Sequence, residues 1–174
     1  MNIIIANINQ YETVRSFYHS LIDGMKDSQF NIGWQKDVYP SPGFLKESIS
    51  NKELYIGVEN DRIFSAMVIN HNCNEGYYKF DWQIDAKENE IMVIHALGVH
   101  PSFSGKGYAK EMVKKAIDVA KNHNQKVIRL DVLKGNVPAG KLYSSMGFCY
   151  MHTLQMYYED TGWTDYELYE YVLD

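Results

Sequence analysis

Val99-His-Pro-Ser-Phe-Ser-Gly-Lys-Gly-Tyr-Ala109 is the stretch of sequence that decides the fold, because two glycines in it join an apolar segment to an amphipathic one. The preceding segment, Ile91 to Val99, is rich in β-branched residues and predicts a strand that is buried on both faces. After the turn, apolar residues recur at helical spacing as far as Ala120, with mostly lysines on the opposite side. The stretch therefore predicts a strand, a tight turn and an amphipathic helix in succession.

The glycine turn has the properties of a phosphate-binding site. A helix start leaves about four backbone N–H groups without partners and carries about half a positive charge. Gly105 and Gly107 lack the Cβ atoms that would keep a phosphate away from these groups, and glycine readily adopts the positive φ that an anion-binding turn needs. We therefore expect the turn to bind a pyrophosphate.

Spacing separates three kinds of phosphate loop. A P-loop does not fit, because Lys106 is followed by Gly107 instead of Ser or Thr and no glycine lies five residues before Gly105. The dinucleotide-binding pattern G-x-G-x-x-G fits poorly, because Lys110 stands where its third glycine belongs. The third pattern, [Q/R]-x-x-G-x-[G/A] after a strand that ends in V-x-P, fits Ser104 to Ala109 at every position except the first.

A second segment downstream strengthens this match. Asn136-x-x-Ala139-x-x-x-Tyr143-x-x-x-Gly147-Phe148 has the length of a short helix, with a proline near its start and a glycine just past its end. Together, the two segments resemble the GNAT superfamily of acyl-CoA-dependent N-acetyltransferases. The resemblance covers residues 91–150 and implies an enzyme that uses acetyl-CoA (coenzyme A) as its cofactor and forms no covalent enzyme intermediate.

The resemblance implies a single GNAT-like domain over residues 1–174, of the α/β (α+β) class. Its sheet is mixed but mostly antiparallel and has helices on both faces, and its central strands splay apart to receive the cofactor. At 174 residues the chain has the size of one domain. Periodicity and turn residues predict strands at 2–6, 54–59, 63–70, 78–84, 91–99, 126–133, 149–158 and 166–172, and helices at 10–25, 42–50, 109–120 and 136–146.

Composition limits the expected partners and location. The 17 basic and 22 acidic residues give a formal charge of −5, which argues against nucleic acid and suits a cationic substrate. Apolar runs are too short for a membrane span and the N-terminus has no signal-like segment, so we expect a cytoplasmic protein that does not bind membranes. Cys73 and Cys149 are far apart and no cluster has metal-ligand spacing, which predicts free thiols and no metal site. The resemblance leaves a homodimer open, since sheet edges in such domains often support dimers.

The resemblance also assigns the cofactor contacts. Backbone groups of Leu97, Gly98 and Val99 are expected to hold the pantetheine arm and to polarise the thioester carbonyl. Ser104 stands where the family has Gln or Arg, a change that we expect to weaken one side-chain contact and that nearby lysines would partly offset. The pyrophosphate is expected to lie on Ser104, Gly105, Lys106, Gly107, Tyr108 and Ala109, and the arm on Asn136, Ala139 and Tyr143.

Transfer of an acetyl group to an amine requires an uncharged nucleophile and a proton for the departing thiolate. A lysine-like amine has a pKa of about 10.4, so its deprotonation at pH 7 costs about 4–5 kcal/mol and requires a base or a water path. The resemblance places Tyr143 beside the thioester sulfur as the general acid. For the base we propose His95, because an imidazole titrates near neutral pH, with Glu90 and His100 as weaker candidates. The simpler interpretations are an ordinary helix tyrosine, one of 14 in the chain, and a hydrogen-bonded core histidine.

Acidic and aromatic residues dominate the end of the chain. Residues 157–174 include six acidic residues and neither Lys nor Arg. Such a surface attracts a cation through charge and cation–π contact. We therefore expect a small cationic amine as the substrate, bound by Trp34, Tyr39, Tyr157 and Trp163, with Asp37 closing the same pocket. The alternative is a solvated strand pair with ordinary aromatic packing.

Two other functions stay open. The departure at Ser104 is compatible with a coenzyme A-binding sensor or interaction module that has lost catalysis, although the retained Tyr143 argues against this alternative. A protein N-terminal or lysine acetyltransferase would share the cofactor site. It would differ in having an open groove for its acceptor instead of a closed pocket.

Overall fold

The structure of the protein is a computed structural model that describes residues 2–174. In these residues, seven strands form one sheet and four α-helices pack on its two faces. In chain order the elements are β1 (Asn2–Ile5), α1 (Tyr11–Gly24), α2 (Pro42–Ser50), β2 (Leu54–Glu59), β3 (Arg62–Asn70), β4 (Ile91–Val99), α3 (Tyr108–Asn122), β5 (Val127–Leu133), α4 (Val137–Ser145), β6 (Cys149–Tyr158) and β7 (Gly162–Val172).

The sheet has the strand order β1-β2-β3-β4-β5-β7-β6. Its neighbouring strands are antiparallel except for β4 and β5, which run parallel, so the predicted mixed and mostly antiparallel sheet is confirmed. The pairing of β4 with β5 extends only from Ile91–Val127 to Val93–Arg129. Beyond this point the two central strands separate, as the family resemblance implies, and their separation positions the site.

Both faces of the sheet are covered, because side chains alternate between the faces along each strand. On one face, α3 and α4 pack on β4 and β5 around Ile94 and Leu130. On the other face, α1 and α2 cover β2 and β3, and the segment between β3 and β4 covers Val93 and Val127. Toward the ends of β4 and β5, every second side chain counted from Val93 and from Val127, as far as residues 95 and 131, lies on this second face.

Two predictions about strands were wrong. No strand forms at 78–84, where a 3-10 turn at Glu75–Tyr78 is followed by irregular backbone. The alternation that suggested a strand arises because Phe80, Trp82 and Ile84 pack against the sheet. The last strand begins at Gly162 instead of residue 166, because its pairing with β6 continues to the tip of the hairpin.

Two further observations bear on the sequence analysis. No helix within residues 2–174 combines the length and the apolarity that crossing a membrane requires. Cys73 is half-buried and Cys149 is exposed, and both are free thiols, as predicted.

Candidate active site

A cleft of about 560 Å³ opens where β4 and β5 separate. Its banks are the second halves of these two strands, together with α4 and the loop that follows α1. One end of the cleft meets the glycine turn before α3, and the other end meets the turn between β6 and β7. The cleft therefore joins the predicted phosphate site to the acidic and aromatic end of the chain.

A β-bulge shapes the β4 bank of the cleft. Between residues 95 and 98, β4 has two residues where β3 has only Met67. Ala96 in the bulge has a φ of +50°, and its carbonyl oxygen accepts a hydrogen bond of 2.8 Å from the buried Tyr18 hydroxyl. Because a bulge bends a strand and changes the direction of its backbone groups, this contact fixes the orientation of the residues that follow.

The backbone groups of Leu97 and Val99 face the cleft. His100 donates its N–H to the carbonyl oxygen of Phe64 in β3 at 2.9 Å. Backbone groups alternate in direction along a strand, so those of Val99 and Leu97 point away from β3. At this level β5 has separated and does not pair with them. An extended chain such as pantetheine can hydrogen-bond to this free edge like an added strand.

Gly98 lies between these two residues at a point of close packing. A Cβ atom at this position would lie 2.5 Å from Leu21 and 3.2 Å from Trp34. A side chain at this position would therefore require Leu21 and Trp34 to shift away from β4 at the edge of the cleft.

The glycine turn, residues 104–109, forms an open cradle at the start of α3. Gly105 and Gly107 have φ values of +75° and +80°, in the left-handed region that favours glycine. A Cβ atom on either residue would meet nothing within 4 Å, so the space beside both is open. Ser104 and Ala109 line the cleft itself. The cradle fits a diphosphate, whose negative charge is stabilised at the N-terminus of a helix.

Two side chains of this turn contact the protein instead of the cleft. Tyr108 stacks on Phe64 with 4.3 Å between the ring centroids, and its hydroxyl donates to Glu59 at 3.3 Å. The Lys106 ammonium lies 5.2 Å from the centre of the Phe103 ring. The phosphate contacts that we expect from Tyr108 and Lys106 therefore depend on their backbone N–H groups.

α4 supplies the opposite bank of the cleft. Asn136 caps this helix, because its Oδ1 accepts the N–H of Ala139 at 3.3 Å, and both residues line the cleft. One turn further on, Tyr143 is 7% exposed, with its ring beside those of Phe148 and Tyr169. Its hydroxyl has no hydrogen-bond partner in residues 2–174, and burial raises its pKa. At neutral pH the side chain is thus a protonated phenol without a partner, which is the form that a general acid needs.

His95 lies on the β4 bank with its side chain half-buried. Its Nε2 donates to Oδ1 of Asn70 at 2.9 Å, since this oxygen is an acceptor and also receives the N–H of Asn72 at 3.0 Å. Burial lowers the pKa of His95 to about 4. The imidazole is therefore neutral at pH 7 and less basic than a free histidine.

Asp131 on β5 is the residue that the sequence analysis missed. Its Oδ2 accepts hydrogen bonds from the hydroxyls of Tyr77 at 2.7 Å and Tyr158 at 2.8 Å, while its Oδ1 has no partner in residues 2–174. Asp131 lines the cleft and lies two positions after Arg129 of the last β4–β5 pair, just as His95 lies two positions after Val93 of that pair. The two side chains thus face each other across the opening. Burial raises the pKa of Asp131, and the two tyrosine hydroxyls oppose this shift.

Comparison with known proteins agrees with this geometry. The sequence model of the acetyltransferase (GNAT) family matches residues 20–148, which is most of the chain. The chain belongs to the GNAT family. GNAT acetyltransferases use acetyl-CoA, so the cradle, the free strand edge and Tyr143 are to be compared with the diphosphate, the pantetheine arm and the thioester of this cofactor. The open space at both glycines and the unpaired edge of β4 fit it.

Individual relatives of this GNAT chain are more distant. An uncharacterised N-acetyltransferase of Methanocaldococcus jannaschii is 31% identical over 68 residues, which are 39% of this chain and 30% of that protein. A GNAT-family acetyltransferase from Streptococcus agalactiae has a TM-score of 0.77 at 16% identity, covering 99% of this chain and 95% of the other. The yncA protein of Salmonella typhimurium, solved with its cofactor acetyl-CoA, has a TM-score of 0.72 at 16% identity, covering 100% and 94%. These structures show the shared fold.

The far end of the GNAT cleft has an aromatic and acidic lining, which we call the acceptor wall. Trp34 and Tyr39, both expected as substrate contacts, belong to it, with 6.1 Å between their ring centroids. The hairpin of β6 and β7 adds three residues that the sequence analysis did not select. The acceptor wall consists of Trp34, Tyr39, Tyr158, Asp160 and Tyr166.

Tyr157 and Trp163 lie outside the cleft. They form a cross-strand pair near the tip of the β6–β7 hairpin and line a separate surface depression with Lys79. Tyr157 is 50% exposed and Trp163 is 65% exposed. Successive side chains of a strand point to opposite faces, so Tyr158 faces the cleft and Tyr157 faces away from it. The structure thus places Tyr158 at the site, whereas the sequence analysis selected its neighbour Tyr157.

Three weaker candidates are engaged elsewhere. Asp37 accepts two hydrogen bonds from Arg15, at 2.8 and 2.7 Å, and one from His19 at 2.9 Å, so it ties its loop to α1 instead of closing the pocket. Glu90 stands at the opposite end of β4 from the cleft and is paired with a lysine at 3.0 Å. His100 hydrogen-bonds to Ser20 in α1 and to Ser102, which follows β4.

Proposed function

We propose that this chain transfers the acetyl group of acetyl-CoA to the primary amine of a small cationic molecule, by direct attack of the amine. The observation that carries the proposal is the cleft, which joins the glycine cradle to a free tyrosine hydroxyl and to a carboxylate with one free oxygen. A phosphate site, a proton donor and a proton acceptor along one continuous opening are what acetyl transfer from a coenzyme A thioester requires.

The bound cofactor supplies a thioester, which is an acetyl group activated toward an amine. Around it, the free backbone groups of Leu97 and Val99 hold the pantetheine arm, and a backbone N–H of this edge donates to the carbonyl oxygen. Such a fixed donor stabilises negative charge that develops on the oxygen. The bulge at Ala96, tied down by Tyr18, keeps these donors in place.

Asp131 is the proton acceptor in this proposal, instead of His95. A carboxylate attracts the ammonium form that predominates at pH 7, and proton transfer between the two leaves both groups neutral. Burial favours neutral partners, so the partial burial of Asp131 shifts this transfer forward. Transfer to His95 would leave a buried imidazolium, which the same burial opposes. His95 instead forms a neutral part of the opening, held by Asn70.

Tyr143 is the proton donor to the departing thiolate. Burial raises the pKa of Tyr143. It raises the pKa of a thiol in the same surroundings as well, so the two groups stay comparable in basicity. With no other hydrogen bond to break, the phenol is free to turn toward the sulfur.

Two measurements test the proposal in sequence. Calorimetry with acetyl-CoA and with coenzyme A tests the cofactor site without any acceptor. Thiol release from acetyl-CoA, measured with a panel of diamines, amino acids, aminoglycosides and peptides, then tests catalysis. We expect binding of the cofactor and thiol release that depends on an amine. Absence of binding by folded protein would overturn the proposal at the first step.

The two other functions predict different outcomes. A coenzyme A sensor, which the serine at position 104 leaves open, would bind the cofactor and release no thiol with any amine. A protein acetyltransferase would prefer peptides over small amines. The acceptor wall supports the small-molecule function, since side chains from the loop after α1 and from the β6–β7 hairpin meet across this end of the cleft, with Tyr39 and Tyr158 centroids 6.3 Å apart.

A further inference from the structure

The charges that line the cleft are all of one sign. Asp27, Asp131 and Asp160 border it, and neither Lys nor Arg of residues 2–174 does. A ligand that carries a carboxylate would meet no cation in the cleft beyond the glycine turn. The acceptor end therefore selects positive charge and disfavours negative charge.

Asp160 is a buried carboxylate with an unsatisfied oxygen. The residue is 9% exposed, and its Oδ1 is buried without a hydrogen-bond partner in the part of the chain that the structure describes. The main-chain carbonyl of Asp160 accepts the side-chain amide of Gln35 at 2.6 Å, which fixes the hairpin turn against the loop after α1. A buried carboxylate without a cation is costly to the folded state. A bound cation at the acceptor wall would remove this cost.

A continuous aromatic surface accompanies the two carboxylates. Tyr39 lies 6.3 Å from Tyr158, and Tyr158 lies 5.0 Å from Tyr166, between ring centroids. Tyr158 itself donates to Asp131, while Tyr166 belongs to the hairpin that carries Asp160. Ring faces accept methylene groups as well as ammonium groups. The surface therefore suits an apolar linker between two cationic ends.

We propose that the acceptor is a compact amine with a second cationic group and no carboxylate, of the diaminoalkane type. Asp131 binds the amine that is acetylated, and Asp160 binds the second ammonium. This inference rests on the proposed acetyl transfer and adds the class of substrate to it. Burial raises the pKa of Asp160, and the nearby charge of Asp131 adds to this shift, so one dication offsets the charge of both carboxylates.

Three matched series of acceptors test the proposal on the unaltered enzyme. They are α,ω-diaminoalkanes of three to six carbons, the 1-aminoalkanes of the same lengths and the corresponding ω-amino acids. We expect kcat/KM from thiol release to be at least about tenfold higher for the best diamine than for its monoamine, as one charge-assisted hydrogen bond allows, and lowest for the amino acids. Equal values for diamine and monoamine, or a preference for the amino acids, would overturn the proposal.

A pair of variants assigns the second ammonium to its residue. Asp160→Asn keeps the shape of the side chain and is expected to lower kcat/KM for the diamine about tenfold, with the monoamine changed less than about twofold. Asp165→Asn on the same hairpin, where the carboxylate pairs with Lys134 at 3.2 Å, is the control and is expected to match the unaltered enzyme. Equal losses for diamine and monoamine would mean that Asp160 only supports the fold. Absence of thiol release with every amine would instead overturn the proposed acetyl transfer.

Discussion

Tyr143 and Tyr169 have adjacent rings, with centroids 6.3 Å apart, but only one of their hydroxyls is free. Tyr169 donates to Glu167 at 3.1 Å, whereas the Tyr143 hydroxyl has no partner among residues 2–174. We expect Tyr143→Phe to lower kcat about 100-fold, because a general acid contributes on that order, and to leave the Kd for acetyl-CoA within about twofold. Tyr169→Phe, measured in parallel by calorimetry and thiol release, is expected to keep most of its activity. Full activity of Tyr143→Phe across a pH range would refute the assignment.

Asp131 and His95 are distinguished by how kcat depends on pH. Because the pKa of Asp131 is raised, the carboxylate loses its charge as the pH falls through a value above the usual one for aspartate, and kcat falls with it. We expect Asp131→Asn to lower kcat about 100-fold and to remove this acidic limb. His95→Gln preserves a donor toward Asn70 and is expected to retain the limb. If His95→Gln removed it and Asp131→Asn did not, the base would be the histidine.

Asp131 also shows why a site residue escapes sequence analysis. The motif around Tyr143 is local, so its spacing could be recognised. The partners that make Asp131 notable, Tyr77 and Tyr158, lie 54 and 27 residues away from it in the chain. The choice between Tyr157 and Tyr158 depends on the register of β6, which alternation alone does not fix when both positions are tyrosine. The one signal for Asp131 in the sequence was a carboxylate near the end of a predicted central strand.

The strand, turn and helix from β4 to α3 were predictable because each carries a strong local pattern. The segment 71–90 was not, since Phe80, Trp82 and Ile84 alternate like a strand while packing as a loop. There, Trp82 donates to the Tyr77 carbonyl at 2.7 Å and lies under the Arg129 guanidinium at 4.2 Å, contacts that replace strand pairing. Period-two patterns report which side chains are buried, and a strand is only one way of burying them.

A substitution in the glycine turn tests whether this turn binds the cofactor. Gly107→Asp puts a negative charge at the cradle and a side chain on a backbone of positive φ, so we expect the Kd for coenzyme A to rise at least about tenfold. Gly162→Asp is the matched control, because Gly162 also has a positive φ, of +65°, and open space around a Cβ, but lies at the start of β7. Calorimetry compares the two, with thermal melts to confirm folding. Equal weakening in both variants would assign the effect to backbone strain or to overall charge.

The acid stability of the whole molecule depends on which buried groups take up protons. His95 has a folded pKa of about 4, below its ordinary value of 6.5, so the unfolded chain binds a proton here that the folded chain does not. Stability contributed by this difference is present above pH 6.5 and is lost as the pH falls toward 4. Asp131 and Asp160 act in the opposite direction, because their raised pKa values let the folded chain bind protons first.

Comparison of variants separates the contribution of His95 to the pH dependence of the unfolding free energy from those of the two carboxylates. We expect the unaltered protein to lose about 1–2 kcal/mol more of its unfolding free energy than His95→Gln between pH 7 and pH 5, from urea titrations at each pH. The carboxylates contribute equally to both proteins and cancel in the difference. His152→Gln, exposed on β6, is the control for removal of a histidine elsewhere and is expected to follow the unaltered protein. If His95→Gln and the unaltered protein lost the same free energy, His95 would not be held neutral by burial, and the argument that favours Asp131 over it as the base would fail.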